Sequence, residues 1–169
     1  MRIEILVSNI VKQNDIEAVV NSANANLRLG SGVAGAIHAA AGPELEAYCE
    51  PIAPLELGQA VITPGFNLPN KWVIHARAGS MITYDNALEI LEECLNSVFR
   101  VALQNNIKSI AMPAIGTGVF KIPNSDCASI TAKVIKQNID SPLNLIRICV
   151  SSVDAQKEFQ FAFAEYQLD

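Results

Sequence analysis

The chain has 169 residues, of which 50% are hydrophobic and 17% charged, and its formal charge is −5. These totals suit one compact domain over residues 1–169, and they exclude a disordered chain or an apolar run long enough to span a bilayer. The acid excess also argues against a protein that grips long nucleic acid, although helix N-terminal amides can carry one diphosphate without net positive charge. The first residues alternate like a strand from Arg2 to Val7 and lack the apolar stretch of a signal peptide, so a cytosolic protein is expected.

A second strand, Ala18-Val19-Val20, leads to Asn21 after a polar turn at Gln13-Asn14-Asp15. A helix is expected from Gly32 to Ala41, stopped by Gly42-Pro43, and a short one from Pro43 to Tyr48. Gln59–Thr63 and Lys71–Ala76 read as a hairpin-like pair of strands. Leu88, Leu91, Leu95 and Val98 recur on one face of a helix from Tyr84 to about Gln104. Ser109–Ile115 is nearly all apolar, as suits a strand covered on both faces. A helix from Asn124 to Gln137, a strand Leu143–Val150 and a last helix burying Phe159, Ala162, Phe163 and Tyr166 complete the pattern. The alternation predicts a layered α/β domain with helices on both faces of its sheet.

Two glycine-spaced turns stand out, Gly30-Ser31-Gly32-Val33-Ala34-Gly35 and Gly116-Thr117-Gly118-Val119-Phe120. Each follows a strand and precedes a helix, which brings unpaired backbone N–H groups together as an anion site. Neither contains the Gly-Lys-Ser/Thr ending of a phosphate-binding P-loop. The first matches the literal G-x-G-x-x-G pattern of dinucleotide-binding oxidoreductases, but the polar stretch Ser22–Arg28 separates it from its strand and no acid ends a strand near Glu56. Asn21 and Asn24, between strand and loop, offer amides either to an Asx-turn or to a ribose diol. His38 and His75 sit in apolar settings and read as packing histidines with their hydrogen bonds satisfied. Cys49, Cys94, Cys127 and Cys149 are too dispersed for a zinc or redox motif, so reduced buried thiols and no metal or cofactor are expected.

Taken in order, Val20-Asn21-Ser22-Ala23-Asn24, the first glycine loop running through Ala36-Ile37-His38 to Gly42-Pro43, Val73-Ile74-His75, and Ile110 to Phe120 resemble the macrodomain family. The resemblance implies a three-layer α/β/α sandwich around a mixed, largely parallel sheet. It also implies binding of ADP-ribose, free or on a modified protein, with hydrolysis of O-acetyl-ADP-ribose or ADP-ribose 1″-phosphate in some members. It assigns the adenine to Asn9 and Ile10, where the family usually has Asp-Ile, and the distal ribose to Asn24. The diphosphate falls to the amides of Gly32, Val33, Ala34 and Gly35 and of Ile115, Gly116, Thr117, Gly118 and Val119, and ribose packing to Phe120. Ser152, Val153 and Asp154 should border the adenine.

Two departures weaken the parallel. A neutral Asn9 acceptor is worth ~0.5–1.5 kcal/mol against ~1.5–3 for a charged one, about one tenfold step in affinity. The MacroD-type hydrolases carry an acid in the glycine loop where this chain has Ala34, and general-base help is commonly worth ~10²–10⁴-fold. The expectation is therefore a binding module with slow or absent turnover. The alternative is an active ADP-ribosyl ester hydrolase whose water is held by Asn24, as its catalytic residue, and by the ligand's own phosphate. A nicotinamide-dependent oxidoreductase is a remote rival, and general RNA binding conflicts with the acidic charge.

Overall fold

The computed structural model describes residues 1–168. Its strands are β1 (Arg2–Val7), β2 (Ala18–Ser22), β3 (Ala60–Pro64), β4 (Trp72–Ala76), β5 (Ser109–Pro113) and β6 (Leu145–Val150). The helices are α1 (Gly32–Ala41), α2 (Pro43–Cys49), α3 (Ala87–Gln104), α4 (Asn124–Gln137) and α5 (Val153–Glu165). The strands form one sheet in the order β1-β6-β5-β2-β4-β3, parallel throughout except for the antiparallel edge pair β3 and β4.

Alternation along each central strand divides the core. Val20, Ile74, Met112 and Ile148 face one apolar layer with α3, α4 and α5, whereas Val19, Val73, Ala111 and Cys149 face the other with α1 and α2. Strands buried on both faces carry near-continuous apolar runs, and β2 and β5 do so. The result is the three-layer α/β/α sandwich with a mixed, mostly parallel sheet that the sequence predicts.

Most boundaries differ from expectation by one to three residues, for local reasons. β5 stops at Pro113, whose nitrogen has no hydrogen to give the ladder, so Ala114 and Ile115 belong to the following turn. α3 starts at Ala87 because Tyr84 is held in a turn, its N–H donating to the Ser80 carbonyl at 2.9 Å. In α5, Phe159, Ala162 and Phe163 are buried and Tyr166 is only half-buried beyond the helix end.

One feature of the order positions a site. Neighbouring parallel strands β2 and β5 send their chains to opposite layers, β2 to α1 and β5 to α4. Such a divergence opens a crevice at the carboxyl ends of the strands.

Candidate functional site: a cavity walled by backbone amides

A cavity of about 600 Å³ occupies that crevice, within the range of small-molecule sites. Its walls come from Ser22 at the end of β2 with Ala23 and Asn24, Gly30 to Ala34 with Ala36 at the start of α1, and Pro113 at the end of β5 with Ala114 and Gly116 to Phe120. Ile10 and the Cys149-Val150-Ser151 segment complete it. Among the described residues, no Asp, Glu, Lys, Arg or His lines the cavity.

The polarity is supplied by the main chain. Gly35 N–H is the first to close a helical bond, to the Ser31 carbonyl at 3.3 Å, and Ser31 gives no side-chain cap. The N–H groups of Gly32, Val33 and Ala34 are therefore the open donors of the helix end, backed by its dipole. Gly32 holds φ +58°, a left-handed conformation that favours glycine. Gly35 is required for a different reason: a Cβ there would lie 2.4 Å from the Gly30 carbonyl oxygen. Across the cavity, Thr117, Lys121 and Ile122 turn their N–H groups back onto Ala114, Gly118 and Gly116, and those of Gly118 and Val119 have no partner among the described residues.

Several residues expected at the site have other work. Asn21 is fully buried on β2, directly opposite His75 on β4, and its Nδ2 lies 3.1 Å from His75 Nδ1. It does not line the cavity, because strand alternation turns its side chain toward the α1 and α2 layer. Asn9 forms an Asx-turn, its Oδ1 accepting from the Val11 N–H at 3.1 Å, and only Ile10 of that pair reaches the cavity wall. Gly35 and Ile115 stand behind the wall. Ser152 caps α5 by accepting from the Ala155 N–H at 3.1 Å, so the wall on that side is Ser151 and not Ser152, Val153 or Asp154. Asn24 does line the cavity, yet both ends of its amide are engaged with the Arg28 backbone at 2.7 and 2.9 Å.

The two histidines also part company. His75 is a satisfied packing residue: Asn21 occupies Nδ1, and Nε2 lies 2.9 Å from Thr63 Oγ1. Burial holds its pKa down to about 3, so the ring is neutral. His38 is buried as well, but neither of its ring nitrogens has a hydrogen-bond partner among the described residues, which corrects the expectation of a satisfied ring. Burial lowers its pKa, against the pull of Glu46.

The four thiols are buried and free. Cys149 is the one beside the cavity, and burial raises its pKa, which keeps it an unreactive thiol. A second cavity, about 790 Å³, lies among Arg28, Leu29, α1 and α2. It lacks a converging set of open amides, for α2 has seven residues and begins at Pro43, which has no N–H to offer.

Residues 20–131 match the Macro domain family. The chain belongs to the macrodomain family. It is 34% identical to a macro domain-containing protein of Lactiplantibacillus plantarum over 170 residues, covering 97% of this chain and 96% of that one. It is 41% identical to the ADP-ribose glycohydrolase MACROD2 of Xenopus laevis over 130 residues, covering 75% of this chain but only 31% of MACROD2. Among solved structures, the Oceanobacillus iheyensis macrodomain with ADP superposes with a TM-score of 0.91 at 31% identity, covering 96% of this chain and 90% of that one. The Trypanosoma brucei macrodomain in complex with ADP superposes with a TM-score of 0.85 at 26% identity, covering 95% and 68%.

Proposed function

We propose that this macrodomain binds ADP-ribose, free or attached to a modified protein, in the cavity between β2 and β5. The observation that carries the reading is the pairing of open amides at Gly32, Val33 and Ala34 with those at Gly118 and Val119 in a cavity that no charged side chain lines among the described residues. Two amide-rich turns suit two phosphates, and oriented dipoles are a ready anion site without lysine or arginine. The adenine lies toward Ile10 and Ser151 and the distal ribose toward Asn24, Ala34 and Phe120. Structures of two macrodomains with ADP support a nucleotide diphosphate as the core of the ligand.

Hydrolysis is the second reading, favoured by the 41% identity to a protein named ADP-ribose glycohydrolase. Its chemistry needs a base or a firmly placed water. Ala34 offers neither, and Asn24 uses its amide on Arg28. No acid or imidazole among the described residues lines the cavity, so the proton acceptor left for a water is the ligand's own phosphate, which is a weak base. The macrodomain is therefore assigned as a binding module, with at most slow turnover of labile ADP-ribosyl esters such as O-acetyl-ADP-ribose or ADP-ribose 1″-phosphate.

Calorimetric titration with ADP-ribose tests the reading, with NAD, AMP and ATP as controls at one salt concentration. A dissociation constant near 1 μM or below, about −8 kcal/mol, is expected for ADP-ribose alone. Absence of binding, or tighter binding of NAD, would overturn it.

A further inference from the structure

On the α1 and α2 side of the sheet, Ile10 and Ile16 of the segment between β1 and β2 pack with Cys149 and Leu145 of β6, and a single arginine of β6 fastens that segment. Arg147 is buried, with its side chain only 9% exposed. Its Nε donates to Glu4 Oε2 at 2.8 Å, and Nη1 and Nη2 grip Asp15 Oδ1 and Oδ2 at 2.7 and 2.8 Å. Nη1 also donates to Gln13 Oε1 at 3.0 Å. A bidentate fork of this kind fixes orientation as well as charge.

The chain of contacts continues toward the cavity. Gln13 is itself buried, and its Nε2 donates to the Asn9 carbonyl at 2.7 Å. The next residue, Ile10, forms the cavity wall, and its N–H has no partner among the described residues. Asn70 holds the other side of the segment, its Nδ2 donating to the Gln13 and Ile16 carbonyls at 2.8 and 2.7 Å. The Asn9-Ile10 peptide is therefore set by Gln13, and Gln13 by Arg147.

We infer that Gln13 and Arg147 are positioning residues that aim the Ile10 N–H at the base of the bound nucleotide, where adenine N1 accepts and a protonated N1 does not, and so set selectivity for adenine. The inference rests on the ADP-ribose reading above. Neither residue touches the ligand. A buried amide with one donor on Asn9 and its acceptor under Arg147 has one orientation available, whereas a loop without it would sample several at an entropic cost to base recognition.

The test compares ADP-ribose with inosine-diphosphate-ribose, whose base carries an oxo group in place of the amino group, by calorimetry on Gln13→Ala, Gln13→Glu and Arg147→Lys. Gln13→Glu keeps an acceptor for Arg147 but can donate nothing to Asn9. The wild type should prefer ADP-ribose about tenfold, and both Gln13 variants, measured below their melting temperatures, should reduce that preference to about threefold or less. Arg147→Lys should follow them if it folds, and Gln13→Glu decides the matter if it does not. A merely structural loss would weaken both ligands equally. An undiminished preference in folded Gln13→Glu would overturn the inference while leaving the ADP-ribose site intact; a wild type that binds neither ligand would instead overturn the site itself.

Discussion

Asn24 and Arg28 exchange two hydrogen bonds: Asn24 Nδ2 donates to the Arg28 carbonyl at 2.7 Å, and the Arg28 N–H donates to Asn24 Oδ1 at 2.9 Å. The amide thus behaves as a strut that closes the loop from β2 to α1, and its Nδ2 would stand 3.0 Å from any Cβ placed at Gly30. Asn24→Ala is expected to lower ADP-ribose affinity about tenfold through the loop, with amide hydrogen exchange rising across 24–30. If slow ester turnover exists, its kcat should change less than its KM, as befits a residue that shapes the site without supplying a proton acceptor. Steady-state kinetics with hydrogen exchange checks both halves.

The glycines divide into those that tolerate a methyl group and those that do not. Gly118→Ala meets nothing within 4 Å and should leave both stability and affinity nearly unchanged. Gly35→Ala drives its Cβ onto the Gly30 carbonyl at 2.4 Å, backbone against backbone, and should cost about 1–3 kcal/mol of stability with a large loss of binding. Gly32→Glu adds strain at φ +58° and sets an anion in the anion site, so binding should be abolished. Parallel thermal melts and titrations separate the three.

Asn21→Ala should lower stability and spare the ligand. It strips His75 Nδ1 of its buried partner, a loss of about 1–3 kcal/mol, while the cavity wall is untouched. Chemical denaturation should record the destabilisation, and the dissociation constant of the folded variant for ADP-ribose should match the wild type. A parallel loss of affinity would return Asn21 to the ligand.

Acid should weaken the fold before it weakens the site. The folded pKa of His75, near 3, lies below its ordinary value of 6.5, so the unfolded chain takes up the proton first as pH falls. Stability is accordingly complete above pH 6.5 and declines between 6.5 and about 3, at a rate on the order of 1 kcal/mol per pH unit. His38 acts in the same direction. Asp15, held down to about 2 by its hydrogen bonds to Arg147, extends the decline below 3.8, its ordinary value. Urea unfolding at pH 7.5, 6 and 5 measures the slope, and replacement of His75 by Phe should flatten it.

Ala34→Asp tests whether the missing acid is the reason for slow turnover. Ala34 belongs to the cavity wall at the first turn of α1, where an acidic side chain also complements the helix end. Release of acetate from O-acetyl-ADP-ribose should rise at least tenfold over the wild type if the carboxylate reaches a water near the distal ribose. Unchanged release with intact binding would show that more than one group is lacking.

Local chemistry explains what was legible in the sequence. Gly32–Ala41 and Asn124–Gln137 are bounded as expected, because glycine and proline before them, and glycine or a polar run after them, act at their own positions. The place of Asn21 depends on which face of β2 it takes and on a partner 54 residues away, His75, neither of which its local sequence states. Ser152 stands one residue past the cavity wall, since a hydroxyl at a helix start is as useful to the helix as to a ligand. An arginine between Ile146 and Ile148 in an otherwise apolar strand demands buried acceptors, and for Arg147 they are Glu4 and Asp15, which no local pattern marks as its partners.

The absence of charged side chains from the cavity wall among the described residues changes how such a site can fail. Its attraction for anions is written in peptide units, which every residue except proline supplies, so exchanging one side chain for another leaves the donors in place. Vulnerability passes from chemical identity to curvature of the main chain. A lineage can vary most of the wall and keep its ligand, provided that the few positions dictating that curvature, Gly32 and Gly35 first among them, stay fixed.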